Sequence, residues 1–223
     1  MAFPQTSVIS LMLPATLAGA FAMATPAHAA GPKPQIRPVE HMATETTPAR
    51  EIAGAKAMLT TTEAGASMTL STSGLEPGHV TTAWWVVINK PMLCEAIPCS
   101  AEDVIGRADI VETQIVYADG VVNDANGNAR FAAYLPQGQV ENGWYPTGFD
   151  SPTEAEIHLV LNDHGRLLPE IAASMLTSYR GGCSDGSLPP PFPASAKADG
   201  VPGPNACLLI QDAIFQQDGQ TTH

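Results

Sequence analysis

LSTSGLEPGHVTTAWWVVINKPMLCEAIPC, residues 70–99, decides how this chain is read. A Pro77-Gly78 turn leads into TTAWWVVIN, and Cys94 and Cys99 follow it closely. Successive side chains of a strand point to opposite faces, so Trp84, Val86 and Ile88 go one way and Ala83, Trp85 and Val87 the other. A strand apolar on both faces belongs at the centre of a sheet that is covered on both sides.

Short strands separated by turn signals extend in both directions from this segment. Lys56 to Thr62 and Ser67 to Thr72 alternate loosely around Glu63-Ala64-Gly65 and predict a first hairpin. Further strands are expected at Ala108 to Tyr117, Gly120 to Val122, Ala129 to Leu135 and Glu156 to Asn162. NDANGN at 123–128 holds Asn126-Gly127, a hairpin signal because both residues tolerate positive φ. CLLIQDAIFQ reads as a final strand or a short helix, with the strand favoured. One helix is expected near residues 169–180, where Pro169 and Glu170 mark the start and Gly181-Gly182 the stop. The expected fold is all-β, a mainly antiparallel β-sandwich with that one helix packed on it.

Residues 1–30 carry no Asp, Glu, Lys or Arg and end in Ala27-His28-Ala29-Ala30, which reads as a signal peptide cleaved near Ala29-Ala30. Its apolar core is too short and too broken by Pro14 for a span of about 20 residues, so no integral membrane span is expected. Residues 31–50 hold four prolines without apolar periodicity and read as a linker or arm. A single domain over 51–217 and a tail at 218–223 complete the organisation. The placement is secreted or periplasmic.

The net charge of −12 falls wholly on the chain after residue 30 and argues against a nucleic-acid partner. Four cysteines in an exported chain favour disulfides. Of the three possible pairings, proximity favours Cys94 with Cys99 and Cys183 with Cys207. On the chain-entropy model these would contribute about 2 and about 3 kcal/mol. A four-cysteine zinc site is disfavoured because neither spacing is C-x2-C.

The pattern TSGLEPGH, WWVVIN with its cysteine pair, the hairpin at Gly127, and EIHLVLNDHG followed by Pro169 and Gly181-Gly182-Cys183 resembles a group of secreted bacterial and archaeal proteins of unknown function. The resemblance covers roughly residues 55 to 215 and extends in general style to CHRD-type modules. It implies an extracytoplasmic β-domain and carries over no catalytic or binding residue.

No segment holds a complete catalytic constellation. The serines lack a G-x-S-x-G context, and no pair of acids is marked out for glycoside cleavage. Two groups of residues remain as candidates. Trp144, Tyr145 and Phe149 sit in a loop with Gly143, Pro146 and Gly148, where exposed aromatics would bind a ligand or partner. His79, Glu156, His158 and His164 would ligate Cu or Zn if the strand order gathered them. The expected function is therefore a non-enzymatic binding or structural module without a cofactor, acting on an extracytoplasmic ligand or protein. The alternative is a Cu or Zn carrier or small oxidoreductase.

Overall fold

The tryptophan strand lies between two neighbours in one antiparallel sheet of eight strands. A computed structural model describes residues 33–44, 46–188 and 191–216. Its strands are β1 (Gln35–His41), β2 (Arg50–Thr62), β3 (Gly65–Thr72), β4 (His79–Ile88), β5 (Thr113–Val122), β6 (Ala129–Pro136), β7 (Glu156–Arg166) and β8 (Leu208–Phe215). They pair in the order β5-β4-β7-β8-β1-β2-β3-β6. The expected signal segment and the tail at 218–223 lie outside the described residues.

The all-β class and antiparallel pairing are as the alternation predicts, but the sandwich is not. One sheet curls until its end strands, β5 and β6, lie beside each other. Asp119 bridges the seam: its Oδ2 accepts from Ala132 N at 2.9 Å. The two end strands approach without forming a ladder, so this seam is bridged by side chains rather than by backbone pairing. The odd-numbered residues of β4 and β7 fill the interior with aliphatic partners. Ala83, Trp85, Val87, Ile157, Leu159 and Leu161 are all 0–1% exposed.

The expected linker at 31–50 supplies β1. Pro38 pairs with Lys56 of β2, next to a register shift between Pro38 and Glu40, while pairing with β8 involves only Glu40 and His41. On the β8 side the proline's missing N–H is not asked to join a ladder, so the strand tolerates it.

The predicted helix is shorter than its sequence stripe. Pro169–Ile171 forms a 3₁₀ turn and α1 runs only from Ala172 to Thr177. Ser178 Oγ donates back to Ser174 O at 2.6 Å, and Tyr179 N donates to Asp199 Oδ2 at 3.1 Å instead of continuing the helix. A second short helix, α2 (Ala194–Ala198), lies in the proline-rich stretch. The disulfides are Cys94–Cys99 and Cys183–Cys207.

The expected hairpin at Asn126-Gly127 is instead a turn that carries the chain from β5 to β6 at the other end of the pairing order; Gly127 there has φ +72°, and a Cβ would meet Leu75 O at 2.2 Å. Both the turn and the approach of Leu75 require glycine.

Candidate binding site

The outer face of β4 and β7 is also buried. Excursions after β4, after β6 and after β7 fold back over it and build a second apolar cluster around Trp84, Val86, Ile88, Trp144, Val160 and Tyr179. Its centre is aromatic. Trp84 meets Tyr117, Trp144 and Tyr179 with ring centroids 5.2–5.8 Å apart, and Trp144 meets Tyr179 at 4.6 Å and Phe192 at 5.6 Å. Edge-on packing of this kind adds roughly 0.5–1.5 kcal/mol per pair beyond area burial. Burial pushes the Tyr179 hydroxyl well above its ordinary value. The same cause, reinforced by Asp119, takes Tyr117 up to about 12.

Buried polar side chains hold the covering loops in place. Gln114 Nε2 donates to the carbonyls of Tyr145 and Thr147, and its Oε1 accepts from Ile115 N and Tyr145 N. Gly143 must be a glycine, because a Cβ would run into the Gln114 amide at 2.3 Å. Asn89 donates to Gly148 O and Glu112 O and accepts from Asp150 N. Ser195 Oγ donates to Trp144 O at 2.8 Å, tying α2 to the aromatic loop.

The other loop is organised by Asp103. Its carboxylate accepts from Glu95 N, Ala96 N, Ser100 N, Ser100 Oγ and Arg107 Nη1. Burial alone would raise its pKa, but the hydrogen bonds outweigh that and hold Asp103 at about 2.

A cavity of about 440 Å³ remains between these loops and the strands. Trp84, Trp144, Tyr179 and Phe192 form its aromatic wall, Val160 and Ile214 belong to its aliphatic lining, and His158, Asp212 and Glu102 are its ionisable residues. The size falls within the range of small-molecule sites, about 300–1,000 Å³. Trp144 Nε1 is buried without a hydrogen-bond partner. A larger hollow of about 770 Å³ lies over Gly54, Ser71, Ser73, Asp124 and Asn128; it is open and has no aromatic wall.

His158 is positioned by Glu156, whose Oε1 takes the imidazole Nε2 at 2.7 Å and also accepts from Cys99 N at 2.8 Å. Glu156 thereby links β7 to the end of the first disulfide loop. Nε2 faces the carboxylate, and Nδ1 has no partner among the described residues.

The four expected metal ligands separate into three places. Glu156 and His158 form the pair just described. His79 Nδ1 lies 3.1 Å from both Asp163 oxygens. His164 is six residues beyond His158 on β7, roughly 20 Å along an extended strand.

His164 sits inside a polar chain whose directions are fixed by chemistry. Gly181 O can only accept, so Nδ1 at 2.8 Å donates to it. Trp84 Nε1 can only donate, so Thr82 Oγ1 accepts from it at 2.8 Å and gives its own proton to His164 Nε2 at 2.7 Å. Burial lowers the His164 pKa and keeps the ring neutral, in keeping with those roles. His164 also lies close to Cys183 and Cys207, a grouping with metal-like spacing. Both sulfurs are spent in the disulfide and offer no thiolate.

Of the expected aromatic trio, only Trp144 borders the cavity. Phe149 is fully buried in the barrel interior, and Tyr145 borders a neighbouring hollow with Pro146 and Thr147. Asp212 and Phe192 were missed in the sequence. The alternation of β8 puts Asp212 on the same outer face as Ile214, but no local pattern marks that face as covered. Comparison of the chain with protein-family models, curated proteins and solved structures returned no match.

Proposed function

We propose that the protein is an extracytoplasmic binding module that holds a small, largely apolar ligand in the cavity on the outer face of β4, β7 and β8. The observation that carries this reading is the cavity itself, with its wall of Trp84, Trp144, Tyr179 and Phe192. Apolar walls supply affinity, and a few fixed polar groups supply orientation. Two disulfides favour an oxidising compartment. Among the described residues, no helix is long and apolar enough to cross a membrane. The dispersal of His79, Glu156, His158 and His164 removes the shared donor set on which the Cu or Zn alternative depended.

The test is a titration with 2-phenylethanol followed by tryptophan emission. Ala101 is an exposed residue on the cavity lining, so Ala101→Phe would intrude on the cavity with little cost to the fold. The expected result is saturable binding to the natural protein, weakened on the order of tenfold in A101F, with stability changed by less than about 0.5 kcal/mol. Equal binding by both proteins would place the ligand elsewhere.

A further inference from the structure

The ionisable residues of the cavity have one bias. Asp212 borders the cavity from β8, and its carboxylate has neither a hydrogen-bond nor an ion-pair partner among the described residues. Its direct neighbour across the β8–β1 pairing is a second acid, Glu40. Burial, the largest influence, raises the Asp212 pKa; His158 opposes the rise and Glu40 adds to it. Glu102 contributes a further carboxylate to the lining, and among the described residues no Lys or Arg lines the cavity. Arg37 borders a separate hollow shared by Asp212 and Glu40.

We infer that the ligand is an organic cation, a protonated amine carried on an apolar or aromatic body, with its ammonium group received by Asp212. This rests on the cavity being the ligand site. Asp212 is half-buried and has no protein partner among the described residues, so an incoming cation meets an unneutralised carboxylate at reduced exposure. The faces of tryptophan and tyrosine rings attract the same charge. A carboxylate ligand would meet like charge from Asp212, Glu102 and Glu40. A bare metal ion is a poor fit, because no three His, Cys, Asp or Glu ligand atoms converge at this cavity among the described residues.

Three probes with the same ring and different heads test the charge preference: 2-phenylethylammonium, 2-phenylethanol and phenylacetate, each titrated against tryptophan emission. The ammonium is expected to bind on the order of tenfold more tightly than the alcohol, with phenylacetate weakest. In Asp212→Asn the ammonium advantage should fall to about threefold or less while the alcohol's affinity is unchanged. If D212N does not fold, the dependence on ionic strength in the natural protein substitutes for it. Added salt must then weaken the ammonium and leave the alcohol alone. Equal or tighter binding of the alcohol overturns the cation inference and leaves the cavity reading intact. Failure of all three probes overturns both.

Discussion

The two faces of the central strands are buried by different means. Inside the barrel, Trp85 and its aliphatic neighbours are covered by the sheet's own curvature, and residues as distant as Leu59, Phe131 and Phe215 complete one apolar core. Outside, Trp84 is covered by loops, and those loops need two disulfides, Asp103, Gln114 and Asn89 to stay in place. Curvature closes tightly, whereas loops leave a gap. The cavity, the unpartnered indole of Trp144 and the unpaired carboxylate of Asp212 all lie on the loop-covered side. One face therefore serves stability, and the other is available for binding.

The strongest way to break this contrast is Trp85→Ala. Removing a large ring from the closed interior should cost about 4 kcal/mol, read as a lower urea midpoint, because the barrel cannot collapse around the hole. A loss below about 1 kcal/mol would mean that the interior is not the tight core described here.

A smaller effect concerns the outer cover. Asp103 has a folded pKa of about 2, below the ordinary carboxylate value of 3.8, so its contribution is fully present above 3.8. That contribution fades as pH falls from 3.8 towards 2. Asp103→Asn should lower stability at neutral pH and flatten the acid limb of the stability curve over that window. Parallel curves for the two proteins would show that the carboxylate's charge does not organise the loop.

Much of the strand pattern was legible in the sequence because period-two alternation reports burial directly. Both faces of 83–88 were apolar, and both proved covered. Closure into one curled sheet was not legible, since alternation says nothing about whether β5 meets β6 or a second sheet. β1 was hidden by a proline-rich context, and its own Pro38 is tolerated because β8 leaves that part of the strand unpaired. The site was legible in fragments. Glu156 and His158 were correctly placed on one face, opposite Ile157, Leu159 and Leu161. That this face is roofed depends on contacts far apart in sequence, such as Cys99 N to Glu156 and Ser195 to Trp144. Asp212 draws its significance wholly from that roof.

The three tryptophans supply the most direct test of the division between the faces. Trp84 and Trp144 border the cavity, and Trp85, next to Trp84 in the chain, faces the barrel interior. Indole N–H resonances followed during titration with uncharged 2-phenylethanol should show saturable shifts for Trp84 and Trp144 while Trp85 stays in place. Movement of Trp85 with Trp84 and Trp144 fixed, or no movement of any indole at the probe's solubility limit, would contradict the account.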